Sequence, residues 1–424
     1  MFKRMLLCLM ALVTLASSAM AETPLRVMVN GGWLDESLLT NLQKEGMVEL
    51  IDGEDVVAEL ASAVSAQDGQ IDVFVFPADQ GLAEVKQKRY YTPLNGGKRL
   101  TQGLGGFYPE VRRALTTEDG ELAAWVIGAG VLGMTRYQTT VLEDNGLTPP
   151  TTFDELLDCC QAILAANALP KGVALMSDCP YTRESVLGLY MDQYIRASRV
   201  GGGTVNFSAP AFLATVERIR AELPDHDPAF DEGTPERAVF SYPVGFDLID
   251  KDMLAMPQVL PDKPGLIDVH LSVAVVNPYS KRKNAAISLL NRCMTGYRVP
   301  SYIYDESLDQ GLRAKNVSLS AEDLEEEIAA LEAMEELSAD QQEALRELLA
   351  QYDACFLVSP DDVAAYHALA GGMSIDDGSP IRLDDDLRAA AGRFLEGVLD
   401  AEAFARACQE HIAAVCEKNG IPVN

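Results

Sequence analysis

Apolar and polar positions along this chain alternate between a strand period and a helix period. Leu25 to Val29 reads as a buried strand that Asn30-Gly31-Gly32 breaks. From Leu34 to Lys44, Leu38, Leu39 and Leu42 recur at helical spacing. Val48 to Ile51 is a second short strand, and Val56, Val57, Leu60 and Val64 mark the next helix. Ile71-Asp72-Val73-Phe74-Val75-Phe76 is a third strand, ended by Pro77. Strands that alternate with helices predict a parallel sheet covered on both faces. Ligands bind such sheets beyond the carboxyl ends of the strands. Two loops, Asn30 to Asp35 and Pro77 to Gln80, are therefore expected to border a binding crevice.

The middle of the chain repeats the pattern. Ala123 to Met134 is apolar and contains glycine, as expected of a segment passing between lobes. Thr152-Phe-Asp-Glu155 is a capping box that opens a helix over Phe153 to Ala165. Gly172 to Met176 reads as a strand, and Tyr181 begins a loop into a helix around Val186 to Ile195. Ser208, with Pro210 in the first turn, is expected to start a helix through Arg220. Ala238 to Tyr242 reads as a strand ended by Pro243, and Val269 to Val276 as a further strand. Ser280 is expected to cap a helix over Lys281 to Met294. The last third is mostly helical. Ser320 and Ser338 start successive helices whose stripes, Leu324-Ile328-Leu331-Met334 and Leu345-Leu348-Leu349, suggest an antiparallel hairpin with a solvated, Glu-rich face. Ser359-Pro360 opens another helix, and residues 386 to 418 supply the last ones.

The first 21 residues carry a different message. Lys3 and Arg4 precede an almost unbroken apolar run from Met5 to Leu15, and Ala19-Met20-Ala21 supplies a small-x-small cleavage pattern. That is the layout of a secretory signal peptide, with the mature chain expected to start near Glu22. Cys8 lies inside the run after Met5-Leu6-Leu7 rather than at its end, so no lipid anchor is expected. No later stretch reaches about 18 consecutive apolar residues, the length of a membrane span. An exported protein with no anchor is best retained behind a second membrane, which favours the periplasm.

Composition narrows the partners. The 424 residues, 48% hydrophobic, suffice for two or three domains. The formal charge is −30, and −32 once Lys3 and Arg4 leave with the signal. Such an acidic surface repels nucleic acid and anionic lipid, leaving neutral or cationic small molecules as ligands. Besides Cys8 there are Cys159, Cys160, Cys179, Cys293, Cys355, Cys408 and Cys416, an odd number that leaves at least one thiol free. Cys179 could pair with Cys159 or Cys160, but Cys408 and Cys416 lie roughly 12 Å apart along one helix, too far for a disulfide. Without Cys-x-x-Cys, and with four scattered histidines, a zinc site is not expected. No phosphate-loop, HExxH or GxSxG motif occurs, and Gly201-Gly202-Gly203 reads as a turn.

Four segments resemble the extracellular solute-binding proteins of ABC importers, the group that includes maltose-binding protein. They are Ile71 to Asp79, followed by Gly81-Leu82 and Tyr91-Thr-Pro-Leu94; Ala123 to Arg136; Asn145 to Leu157; and Asn277-Pro-Tyr-Ser-Lys-Arg-Lys-Asn-Ala-Ala286. Their order and spacing span about 22 to 300, and Phe394 to Phe404 is similar again. The acidic hairpin near 320 to 353 departs from the pattern. The resemblance implies an α/β, two-lobed periplasmic-binding-protein fold of the type II class, with discontinuous lobes, an interlobe cleft and extra C-terminal helices. Lobe one would hold 22–128 and 268–314, and lobe two 129–267 and 315–424. Ligand touching both lobes only in a closed form would shift the population to it, and the importer's permease subunits would read that form.

The crevice loops and the family positions together suggest the ligand-binding residues. Trp33 and Asp35 follow the first strand, and Phe76 and Asp79 the third, at positions where the family holds an aromatic and a carboxylate. Trp125 lies in the first crossing. Tyr181 follows the strand ending at Met176, at an aromatic family position, and Tyr242 sits where the family often places another, with Phe246 and Asp247 close behind. Aromatic faces pack on the C–H face of a sugar while carboxylates accept from its hydroxyls. The same set suits a cation, such as a polyamine or cationic peptide, through ring faces and negative charge. Only two tryptophans and 7% aromatic residues favour a short sugar over a long oligosaccharide.

Three other functions are weighed. A secreted hydrolase needs a positioned nucleophile or carboxylate pair, and no motif supplies one. A periplasmic ligand sensor would use the same fold. A ferric-ion binder could use Tyr90-Tyr91, although these more simply fill a helix end and a strand. The expectation is a monomeric, non-enzymatic binding protein with no cofactor and no resident metal.

Overall fold

The computed structural model describes residues 23–30, 36–176, 180–232, 235, 237–246, 253–293, 301–309, 311–313, 320–334 and 338–421. The signal segment with Cys8, Trp33, Asp35, Cys179 and Asp247 lies outside the described residues. In chain order the main elements begin with β1 (Leu25–Val29), α1 (Glu36–Lys44), β2 (Val48–Asp52), α2 (Val56–Ala66), β3 (Val73–Pro77) and α3 (Leu82–Gln87). Then come β4 (Trp125–Tyr137), α4 (Phe153–Ala165), β5 (Val173–Met176), α5 (Thr182–Arg199) and α6 (Pro210–Glu222). Next are β6 (Arg237–Phe246), β7 (Met253–Leu254), β8 (Ile267–Val276) and α7 (Lys283–Cys293). The last are β9 (Leu312–Arg313), α8 (Ala321–Glu332), α9 (Ala339–Asp353), β10 (Phe356–Val358), α10 (Pro360–Leu369), β11 (Met373–Ile375), α11 (Asp385–Leu395) and α12 (Ala401–Asn419). Among the described residues no helix is long and apolar enough to cross a membrane.

Over these residues the chain divides into two compact units. Unit 1 is drawn from Met1–Gly105, Leu115–Gly128 and Ser272–Val299; unit 2 from Gly106–Ala114, Ala129–Leu271 and Pro300–Asn424. These bounds differ from the expected 268 and 314 at the later crossings, and the excursion of 106–114 into unit 2 was not expected. Aromatic contacts explain that excursion. Phe107 meets Tyr304 edge-to-face at 5.0 Å, and Tyr108 packs on Tyr366 at 6.4 Å. The Tyr108 hydroxyl also bonds His367 Nδ1, while His367 Nε2 donates to the Leu308 carbonyl at 2.9 Å.

In unit 1, β1 is paired in parallel with both β2 and β3. β8 runs antiparallel to β3, pairing Ser272 to Val276 with Pro77 to Val73. Every residue of β3 is buried, as a parallel strand covered on both faces requires. The Asn277-Pro-Tyr-Ser280 run serves structure here. The Asn277 amide donates to the Asp68 and Ile71 carbonyls at 2.9 and 2.8 Å, and its oxygen accepts from Tyr279 N–H at 2.8 Å. Ser280 donates to the buried Asp72 carboxylate at 2.7 Å, which also accepts from Arg26 N–H at 2.9 Å and pairs with Arg282. Arg282 in turn donates to the Thr23 and Pro24 carbonyls at 2.7 and 2.9 Å, tying the start of β1 to this hub. The Ser280 hydroxyl also accepts from Arg282 N–H at 2.9 Å, a bond of the capping kind, but α7 starts at Lys283 rather than at the expected Lys281.

In unit 2, β4 is antiparallel to β6, β5 lies parallel on the far edge of β6, and β11 is parallel to the start of β8. The Thr152–Glu155 capping box opens α4 as expected. Two local expectations fail. The cap of α6 is Ala209, not Ser208, with Pro210 at the first helical position. Pro243 does not end β6, which runs on to Phe246; its pairing with β4 shifts register between Val131 and Arg136, an irregularity of the kind that tolerates a residue without N–H. The core is a stack of rings. Phe394 and Phe404 lie 4.9 Å apart, Phe212 reaches Phe404 at 6.1 Å, and Tyr190 stacks on Phe212 at 5.6 Å. Each such ring contributes on the order of 2–3 kcal/mol when buried, so α11 and α12 are integral to unit 2. Cys159, Cys160, Cys408 and Cys416 are buried free thiols in this core. In the acidic hairpin of α8 and α9, Leu324 and Ile328 are buried and Tyr352 donates to Glu325 at 2.8 Å, but the stripe fades: Met334 and Leu349 are exposed.

Candidate functional site

The carboxyl ends of the parallel strands in unit 1 are stapled by Asn30. Its N–H donates to the Val75 carbonyl at 2.9 Å, and its side-chain amide donates to the Glu54 carbonyl at 3.0 Å and to Gln80 Oε1 at 2.7 Å. The ends of β1, β2 and β3 are thereby held level. Asp79 stands beside them, half-buried in the 3-10 turn Ala78–Gln80. It does not cap α3, whose cap residue is Gly81. Gly81 sits at φ +142°, and a Cβ there would lie 3.1 Å from Val57 Cγ1, so the turn that presents Asp79 requires glycine.

Two expected ligand residues of unit 1 are enclosed instead. Phe76 is fully buried, opposite Val273 in the pairing of β3 with β8. Trp125 is 3% exposed at the start of β4. Both rings are packed within unit 1. Trp33 and Asp35, at the end of β1, lie outside the described residues.

In unit 2 the carboxyl end of β5 leads, through Ser177 to Cys179 outside the described residues, to Pro180 and Tyr181. Tyr181 precedes the first turn of α5 and is 56% exposed. Its ring meets the His226 imidazole at 6.4 Å and 63°. His226 Nε2 donates to Asp231 Oδ1 at 2.8 Å. Beneath this pair runs a strap of residues 223–231 that sequence reasoning missed. The buried Asp227 carboxylate accepts from Leu175 N–H at 2.7 Å, on the free edge of β5, and from Ala229 N–H at 2.9 Å. Asp227 N–H donates to the Pro180 carbonyl at 2.8 Å. Arg183 closes the strap from α5, donating to the Leu223 carbonyl and to Asp225 at 2.6 Å. The Asp225-His-Asp-Pro228 run, a turn signature, was the available signal.

The backbone of Tyr242 lies two residues past Phe240, which faces Met176 at the end of β5, and Phe246 faces Val131. The side chains of Tyr242 and Phe246 are not among those described. A cavity of about 360 Å³ lies at the opposite, amino end of β5, between Ile163, Leu169, Val173 and Ala229, with Lys171 and Asp231 at its rim. Asp231 on its rim is the partner of His226, so the cavity adjoins the strap that carries the Tyr181–His226 pair. Among the described residues no cluster of His, Cys, Asp and Glu could hold a metal ion. Tyr91, one of the tyrosines weighed for iron, donates to Glu121 at 2.7 Å.

Residues 47–213 match the family model of bacterial extracellular solute-binding proteins. No curated protein matches the chain in sequence. Solved structures match along almost its whole length. The sugar-binding protein MalE from Xanthomonas citri superposes with a TM-score of 0.56 at 12% identity, over 94% of this chain and 98% of its own. An ABC substrate-binding protein from Listeria monocytogenes in complex with cycloalternan gives 0.52 at 13% identity, over 94% and 99%. An ABC transporter solute-binding protein from Agrobacterium radiobacter K84 in complex with ribitol gives 0.51 at 14%, over 92% and 98%. The mixed α/β fold is that of the type II periplasmic binding proteins.

Proposed function

We propose that this chain is a bacterial extracellular solute-binding protein, the family its residues 47–213 match, and that it captures a small neutral polyol, a sugar or short oligosaccharide, by hinge closure and delivers it to the permease subunits of an ABC importer. On this reading the chemistry asked of the chain is recognition alone. The observation that carries the reading is the exposed Tyr181 ring at the carboxyl end of β5, held on a hydrogen-bonded strap. An exposed aromatic face packs on the C–H face of a sugar, and neighbouring polar groups fix its hydroxyls. Two proteins of the same fold were solved in complex with cycloalternan and with ribitol. The formal charge of −30 disfavours anionic ligands.

The proposed contact set is Asp79 with Trp33 and Asp35 on unit 1, and Tyr181 with Tyr242, Phe246 and Asp247 on unit 2. Phe76 and Trp125 are left to the core. Export through a cleaved signal peptide, retention in the periplasm without a lipid anchor, and action as a monomer complete the proposal. Melting curves of the mature protein with maltose, D-glucose, ribitol, spermidine and a tripeptide test it. A concentration-dependent rise with at least one carbohydrate or polyol is expected. A rise with spermidine alone overturns the neutral-polyol reading, and no rise with any compound overturns capture itself.

A further inference from the structure

The strap of unit 2 carries more than Tyr181. His226 is exposed over nearly half of its side chain and stands against the Tyr181 ring at 6.4 Å and 63°, so the two rings form a two-walled corner. Asp231 fixes the chemistry of the second wall. A carboxylate only accepts, so the Nε2 that faces Asp231 Oδ1 at 2.8 Å carries the proton. In the neutral ring the other nitrogen, Nδ1, is then an acceptor, with no partner among the described residues. The corner is held from below. Asp227 joins the strap to the β5 edge through Leu175 and to the residue before Tyr181 through the Pro180 carbonyl, and Arg183 ties α5 to Leu223 and Asp225. A recognition group held in one tautomer on a braced loop is pre-organised, which lowers the entropic cost of binding. An exposed His–Asp pair contributes little to stability, so folding alone gives weak reason for this arrangement.

We propose that His226 is a ligand-contacting residue of unit 2, accepting through Nδ1 a hydrogen bond from a hydroxyl of a neutral polyol whose C–H face packs on Tyr181. Asp231 is the positioning residue that sets the tautomer, and Asp227 the one that seats the strap. The inference rests on the carbohydrate reading above and adds a specificity: an acceptor nitrogen beside an aromatic face selects a ligand that brings a hydroxyl donor.

Two isosteric substitutions separate this role from a structural one. Asn at 226 places an amide oxygen where Nδ1 stands, and Gln places its amide where Nε2 faces Asp231. Calorimetric titration of the mature wild type, H226N, H226Q, H226F and D231N with maltose, D-glucose and ribitol is the test, with melting temperatures as the fold control. Wild type saturates with at least one probe; H226F and H226Q weaken that Kd about tenfold, the worth of one lost hydrogen bond. H226N stays within about threefold of wild type, and D231N falls between, its tautomer released. Saturation of wild type with H226Q unchanged overturns the inference and leaves the carbohydrate reading standing. Failure of all three probes to saturate wild type overturns both. Imidazole nitrogen spectra give an independent check: a proton on Nδ1 rather than Nε2 in the neutral ring of His226 contradicts the assignment.

Discussion

Removing the carboxylate of Asp227 tests the strap most sharply. That carboxylate is 2% exposed and accepts from Leu175 N–H, itself on a residue 1% exposed, and from Ala229 N–H. Asp227→Ala leaves the Leu175 donor with no acceptor and little access for water. A buried donor left unmet costs about 1–3 kcal/mol, and bonds to a charged acceptor sit near the upper end. Ala229 is half-buried, so water can replace its lost partner at a cost of about 1 kcal/mol. The expected loss of stability is about 3–4 kcal/mol. Asp227→Asn keeps one oxygen and turns an NH₂ toward the second donor, for a loss of about 1–2 kcal/mol. Urea unfolding followed by far-ultraviolet dichroism gives the ranking, wild type above D227N above D227A. Native-state hydrogen exchange at the Leu175 amide supplies the local readout, accelerating at least about tenfold in D227A. A D227A loss below about 1 kcal/mol, or an unchanged Leu175 amide, refutes the strap as described.

Three further outcomes follow from the same geometry. Arg282→Ala breaks the pair with buried Asp72 and frees Thr23 and Pro24; it should cost about 3 kcal/mol in urea unfolding and speed proteolysis ahead of β1. Gly81→Ala, at φ +142° and against Val57, should cost about 1–3 kcal/mol by the same measurement. Burial pushes the Asp384 carboxyl up, but the Leu387 N–H and the His411 imidazole outweigh it and hold the group below the ordinary carboxylate range. Its folded pKa is depressed, so its stabilisation is present above the unfolded value near pH 4 and is lost as pH falls through the folded value. The melting gap between wild type and Asp384→Ala, worth about 1 kcal/mol as a helix cap, should therefore hold from pH 7 to 5 and narrow below pH 4; a gap that widens in acid contradicts the assignment.

Much of the architecture was legible because local signals and tertiary packing agree. β1 and α4 have the expected bounds, Leu25–Val29 and Phe153–Ala165, the helix started by Thr152 with Glu155. The fate of Phe76 was not legible. β3 is covered on both faces, so the sequence shows a continuous apolar run, with no alternation to say which ring turns outward. Pro243 looked like a strand end because the bulged pairing that accommodates it depends on β4, more than a hundred residues earlier. The excursion of 106–114 rests on Phe107 and Tyr108 meeting Tyr304, Tyr366 and His367, contacts with no local trace. Tyr181 could be singled out from its place after a strand, whereas His226 and Asp231 join it only through the strap.

Small-angle scattering of the mature protein, empty and with the carbohydrate that saturates it in calorimetry, measures capture by closure directly. A smaller radius of gyration in the saturated sample is the predicted result. Superimposable curves at proven saturation contradict it.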